Sequence, residues 1–225
     1  MTAAFASAQP PRLRGAPGGI GLANPSAIVA AELAFARLVR EKGQWTAFRE
    51  TADKDAVMFM PGPVNAQGWL RKRADPADPL SWQPHRIFIA CDGSYAAATG
   101  PWRKADGKSG SFTTIWRQQK NGSYKWVLDL GSDTAAPANE DNIIDARVAD
   151  CARRNAVEQK RDDDRRRGKR PDVVPIPNPP PTSGTGQSAD GTLRWSWTEK
   201  TLDVVMRYQG KDERVIQAVA GAAAP

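Results

Sequence analysis

The chain has 225 residues, a hydrophobic share of 40% and a net charge of +7. That apolar content suffices for a core, yet no run approaches the roughly 20 residues that a helical membrane span needs, so the chain reads as soluble. The positive excess is concentrated between Arg153 and Arg170, where nine basic residues stand against four acidic ones. So short a low-complexity run reads first as a solvated segment, and nucleic-acid binding is not expected of it.

Residues 1–23, with Pro10-Pro11 and Pro17-Gly18-Gly19, show no periodicity and read as a disordered leader. Ala6-Ser7-Ala8 has the small-x-small character of a signal-peptidase site, but no charged and apolar segments precede it. Two readings stay open: a cytoplasmic protein, or a periplasmic or secreted one whose start lies upstream.

Asn24-Pro25 predicts a helix start, with Asn as cap and Pro where no N–H is needed. Ile28, Ala31, Phe35, Leu38 and Val39 then form a helical stripe, and Gly43 predicts its end. A second helix is expected over about residues 44–52, burying Trp45 and Phe48. The period then shortens. Residues 56–60 read as a strand stopped by Pro61-Gly62-Pro63. Gly68-Trp69-Leu70 permits one helical turn, which Pro76 and Pro79 keep short.

Four strands follow: residues 86–91, 94–102, 111–118 and 124–131. Asp92-Gly93 predicts a tight type I′ hairpin turn, and Asn121-Gly122 a further turn. In the last strand Tyr124, Trp126, Leu128 and Leu130 alternate with Lys125 and Asp129, which places Asp129 on the outward face. Helices followed by hairpins predict an α+β domain over residues 24–131, with an antiparallel sheet packed on N-terminal helices.

Residues 132–159 read as a connecting segment in which 143–156 fits either a helix or a strand around 146–151. Residues 160–191 form a charged, Pro-rich insert in which Ser183-Gly184-Thr185-Gly186 reads as linker. Order is expected to return at 192–219 with strands at 193–197, 203–208 and 214–219, extending the first sheet, before a tail at 220–225. Cys91 and Cys151 are too few for a disulfide framework; one bridge is open, but the sequence does not show that they meet.

Ala34-Phe35-Ala36, Gly43, Ala47-Phe48 and Ala52-Asp53-Lys54-Asp55-Ala56-Val57 resemble the opening of the nuclear transport factor 2-like superfamily. Cys91-Asp92-Gly93-Ser94-Tyr95, Thr99-Gly100-Pro101-Trp102, Thr114-Ile115-Trp116, Gly122 and Trp126 resemble its later strands, most closely in an uncharacterised bacterial group. The resemblance covers roughly half the chain and implies a curved sheet wrapped around helices into a cone with an apolar pocket. Members include ketosteroid isomerases, polyketide cyclases, dehydratases, ligand-binding subunits and interaction modules, so the fold transfers no function by itself. The isomerases carry a carboxylate just before a Pro; here Met60 precedes Pro61, and a thioether takes no proton.

The candidate chemistry is sparse. His85, the only histidine, and Asp129 are the two catalytic candidates, each outweighed by a plain structural role. Asp92 is explained by its turn. No phosphate loop, nucleophile elbow or metal-ligand cluster occurs, so neither a cofactor nor a metal is expected. The aromatic excess supplies an expected lining of Trp45, Phe48, Phe59, Met60, Trp69, Trp82 and Trp126, against the simpler reading that these residues are core. The first functional reading is therefore a non-catalytic module that binds a small apolar ligand or forms a homodimer through its sheet. The second is a small cofactor-free enzyme of the cyclase, isomerase or dehydratase kind.

Overall fold

A computed structural model describes residues 23–137, 143–151 and 182–221. The leader, the 153–170 charge run, the Pro-rich segment and the last tail residues lie outside the described residues. The elements begin with α1 (Pro25–Lys42), α2 (Gln44–Thr51), β1 (Ala52–Phe59), β2 (Pro63–Asn65), α3 (Ala66–Leu70) and β3 (Ser81–Trp82). They continue with β4 (Arg86–Ile89), β5 (Tyr95–Arg103), β6 (Ser109–Gln118), β7 (Tyr124–Ser132) and β8 (Asp145–Val148). The last four are β9 (Gly184–Gln187), β10 (Leu193–Trp197), β11 (Thr201–Tyr208) and β12 (Lys211–Val219).

Helix α1 starts at Asn24-Pro25 as expected, but the Asn24 side chain makes no capping bond; its backbone carbonyl accepts from Ala27 N at 3.0 Å instead. Gly43 ends α1 and begins α2 at φ 98°, a conformation that L side chains rarely adopt. A Cβ there would also stand 2.3 Å from the Asp75 carboxyl carbon. Asp75 accepts from Thr46 N and Thr46 Oγ1 at 2.9 and 2.7 Å, fixing the start of α2.

The first sheet has the order β2-β1-β7-β6-β5-β4-β8, with β3 on β5. It is mixed, not purely antiparallel, because β1 runs parallel to β7 and β8 parallel to β4. Of the two readings for residues 143–156, the strand is found, as β8. Its inner face, with Met58, Ile87, Ile89, Ala96, Ala98, Trp116 and Trp126, packs on Ile28, Phe35, Val39 and Phe48 of the two helices. This is the expected α+β cone.

The outer face is covered as well. Strands β9–β12 do not extend the first sheet; they form a second one, in the order β12-β11-β10-β9. Leu193, Trp195 and Trp197 alternate inward from β10 and meet Phe59, Phe88, Ala97, Ile115 and Leu128. A sheet that is apolar on both faces needs a cover on both, and this chain supplies the second one itself. Gly184-Thr185-Gly186 is therefore strand and not linker. Cβ atoms at Gly184 and Gly186 would lie 2.7 and 2.2 Å from the rings of Trp197 and Trp195, so the glycines make room for the indoles.

Two hairpin loops hold the sheets together. The β4–β5 loop is not a type I′ turn, since only Gly93 has positive φ; that turn occurs at Gln209-Gly210 (φ 51° and 77°) between β11 and β12. Instead Cys91-Asp92-Gly93-Ser94 and Ala189-Asp190-Gly191-Thr192 adopt one conformation and dock on each other as near two-fold mates. Asp92 N donates to Asp190 Oδ2 at 2.8 Å, and Asp190 N to Asp92 Oδ2 at 2.9 Å. Cys91 N donates to Thr192 Oγ1 at 3.0 Å and Ala189 N to Ser94 Oγ at 3.2 Å. Each Asp also accepts the N–H and O–H of its own Ser94 or Thr192 through Oδ1. Beside this clasp a Cys91–Cys151 disulfide ties the β4–β5 loop to the residues after β8.

The reciprocity makes the clasp testable. Asp92→Ala or Asp190→Ala alone leaves the partner loop's N–H without its acceptor, at a cost of about 1–3 kcal/mol. The two substitutions remove different bonds, so if the loops dock as one unit the second should add less than the first, the clasp being already open. Urea unfolding of the two single variants and the double variant measures this, and simple additivity would show the loops to be independent.

Candidate functional site

The strand that shapes the site is β7. Its register with β6 pairs Ile115 with Leu128 and Trp116 with Trp126, so Val127 is an extra residue, a β-bulge. Strict alternation puts Trp126 and Leu128 on one face. The bulge separates them, so that Trp126 joins the inner core and Leu128 and Leu130 the outer one. Asp129 consequently points inward, which corrects the outward placement expected from the sequence.

Asp129 lines a cavity in the cone together with Phe35, Phe48, Leu80, Trp82, Trp102 and Phe112. Thr114, its neighbour across β6, donates to Asp129 Oδ2 at 2.7 Å. Among the described residues no donor engages Oδ1. Burial in these apolar surroundings raises the Asp129 pKa to about 6, against the lowering effect of the Thr114 bond. The cavity volume is about 20 Å³, room for one water-sized guest.

A second carboxylate lies deeper. Glu32 of α1 is fully buried and accepts from Trp116 Nε1 at 2.7 Å and Trp82 Nε1 at 3.0 Å, one indole on each oxygen. Desolvation raises its pKa to about 7; the two indole N–H groups oppose that shift and the Asp129 charge adds to it. A carboxyl poised near neutrality in an apolar cavity can exchange a proton with a bound molecule. Position 32 lies four residues after Ile28 and three before Phe35, inside the apolar stripe, and that spacing is the signal the sequence did hold.

The sequence-derived lining is divided among several places. Phe48 and Trp82 line the cavity. Trp45 and Trp126 are inner core, and Met60 and Trp69 pack at its margin. Trp126 Nε1 is spent on Thr51 Oγ1 at 3.0 Å, while Trp69 stacks edge-on against Trp45 and lies under Arg73. Phe59 is on the other face of the sheet, against Trp197. Lining residues that sequence reasoning missed are Trp102, whose Nε1 donates to Ser132 O at 3.0 Å, and Phe35, Leu80, Phe112 and Thr114.

His85 does not meet Asp129. It lines a separate open groove of about 450 Å³ with Ser81, Gln83, Pro101 and Arg103. Its Nδ1 is buried without a hydrogen bond among the described residues, and desolvation holds its pKa below the usual value. Trp82 lines both spaces. Asp53 is engaged by Arg117 and by Gln119 Nε2, which leaves it no acid–base role. Among the described residues no group of three or more His, Cys, Asp or Glu could hold a metal ion, and no helix is long and apolar enough to cross a membrane.

No protein-family model matches the chain, and no curated protein matches it in sequence. Several solved structures resemble it. One, provisionally described as a ketosteroid isomerase from Parabacteroides distasonis, is 17% identical over 51% of this chain and 96% of its own, with a TM-score of 0.38. A nuclear transport factor 2-like superfamily protein from Salmonella enterica serovar Typhimurium is 14% identical over 52% and 95%, also with a TM-score of 0.38. Nuclear transport factor 2 from Cryptosporidium parvum is 12% identical over 50% and 98%, with a TM-score of 0.36. Each of these likenesses spans about half of this chain and nearly all of the solved structure.

Proposed function

We propose that the cone binds a small, largely apolar molecule that presents a hydrogen-bond donor to Asp129. The observation that supports this is the placement of Asp129: a carboxylate in an aromatic-walled cavity, with Thr114 on one oxygen and no donor on the other. That second oxygen is open to the cavity, where a ligand O–H or N–H could engage it in place of a water. The cavity has room for no more than a water, so a larger guest needs it to widen. Trp82 lines both this cavity and the His85 groove, and a turn of its ring would let the two merge into a space within the roughly 300–1,000 Å³ usual for small-molecule sites. A homodimer through the outer face of the first sheet is not part of this reading, because β9–β12 already bury that face.

The second reading, a small enzyme working by proton transfer, is favoured by one observation: the Asp129 pKa of about 6 suits a group that takes and returns a proton near neutrality. Once ionised, Asp129 would in turn help to hold the proton on Glu32.

Three measurements test these readings. Phenol, which carries an O–H, should quench tryptophan fluorescence saturably, whereas anisole, which does not, should bind less. Asp129→Asn should weaken phenol by about tenfold to a hundredfold, the worth of one hydrogen bond to a charged acceptor. Equal binding of phenol and anisole would reject the role of Asp129. If the site is catalytic, the protein should accelerate deuterium exchange α to the carbonyl of cyclohexanone in heavy water, and Asp129→Asn should abolish the acceleration.

The third measurement is stability against pH. Because the Asp129 pKa rises from 3.8 to about 6 on folding, the folded state holds the proton more tightly. The stabilisation is complete below pH 3.8 and is lost as pH rises to about 6. The loss is on the order of 3 kcal/mol. Asp129→Asn, which keeps an acceptor for Thr114, should flatten the melting-temperature profile over that window. The decline from Glu32, of the same sign and reaching up to about pH 7, should remain.

A further inference from the structure

We propose that the outer face of the first sheet carries a second small-molecule site, for a compound with a carboxylate head and an apolar body. The outer face is divided in two. Under β10 and β11 it presents Phe88, Ala97, Ile115 and Leu128. Towards β12 the same alternation brings up Thr99, Ser111, Thr113 and Ser132, and there the two sheets leave a groove of about 350 Å³. Of these four hydroxyls, Thr99 Oγ1 donates to Phe112 O at 2.6 Å and Thr113 Oγ1 to Thr99 Oγ1 at 3.3 Å, which leaves those of Ser111 and Ser132 to face the groove.

The donors in this groove exceed its acceptors. Arg86 lines it, stacked 4.9 Å over the Phe88 ring, and among the described residues its guanidinium has no ion pair and no hydrogen bond. Asp145, opposite Arg86 in the β4–β8 register, is engaged by Arg147 at 3.3 Å. Ser132 Oγ accepts from Thr134 N at 3.1 Å, which leaves its O–H free to donate, and Ser111 has no hydrogen bond from its hydroxyl among the described residues. The lining holds no carboxylate. A held guanidinium with two spare hydroxyl donors and no acid of its own calls for an oxyanion, and the planar fork of Arg suits a carboxylate. The opposite wall is mainly apolar: Ile216, Ala218 and the half-exposed Val219 of β12, with Pro137, interrupted by Gln217. A carboxylate at Arg86 would therefore carry its apolar portion along β12. The site is independent of the cone, since Arg86 and Thr99 face away from the surface that bears Asp129.

Isothermal titration of the full chain with benzoate tests the assignment, with benzamide as the uncharged control. Saturable one-site binding of benzoate without binding of benzamide is expected. Arg86→Gln should weaken benzoate about tenfold or more while leaving the melting temperature near that of the unsubstituted protein. Val219→Glu, an exposed change that places a like charge at the rim, should weaken it too, and serves if Arg86→Gln does not fold. Asp129→Asn should leave benzoate binding unchanged. The proposal is overturned if benzoate gives no saturable heat, if benzamide binds equally well, or if folded Arg86→Gln retains full affinity. Loss of binding in Asp129→Asn alone would assign benzoate to the cone and overturn it as well.

Discussion

One extra residue in β7 decides what this sheet can do. Val127 has no partner opposite it in β6, and the slip sends the residues on either side of it to opposite faces. With strict alternation Trp126, Leu128 and Leu130 would crowd one face and Asp129 would lie on the other. With the bulge Trp126 seals the inner core against the helices, and Leu128 and Leu130 build the outer core. Asp129 enters the cone. Both covers of the sheet and its interior carboxylate follow from that displacement.

The consequence is a cone with two acids and little space. A buried carboxylate is costly unless it is neutral or well bonded, and the two sites meet that cost differently. Glu32 is bonded on both oxygens by Trp82 and Trp116, a structural arrangement that also anchors β3 and β6 to α1. Among the described residues Asp129 has only Thr114. The asymmetry distinguishes a carboxylate used to hold the fold from one with capacity for a ligand. Trp82 connects the two, because the indole that donates to Glu32 also lines the cavity that holds Asp129.

Much of the first domain was legible because its signals are local. Asn24-Pro25, Gly43 and the change from helical spacing to alternation locate α1, α2 and β1, and Gly-containing turns separate β4 to β7. What was not legible depended on partners distant in sequence. Nothing local marks Val127 as a bulge; its register is set by β6 and β1. The Gly184-Thr185-Gly186 run has the composition of a linker, and only the Trp195 and Trp197 rings lying across it make those glycines a strand. Asp92 was correctly tied to its turn, but its reciprocal contact with Asp190, 98 residues away, could not be read from either loop alone. Glu32 was obscured by its charge, since a stripe interrupted by a carboxylate reads as solvated until two indole donors are found for it.

The second sheet decides what the outer face of the first can do. A chain that ended after β7 would expose Phe59, Phe88, Ile115 and Leu128 as one apolar face, and faces of that kind mark association surfaces. Here the chain carries β9–β12 onto it and fastens them with the Asp92–Asp190 clasp, next to the Cys91–Cys151 bridge. The cover is incomplete at one end, and there the sheet changes from Leu and Phe to Thr and Ser. The composition follows the coverage: apolar where the second sheet lies, hydroxyl-bearing where the groove admits solvent. Arg86 stands at that boundary, its stem and guanidinium against Phe88 on the buried side and its donors toward the groove. Capping the sheet thus removes one surface from association and leaves a recess at its margin that an open sheet would lack.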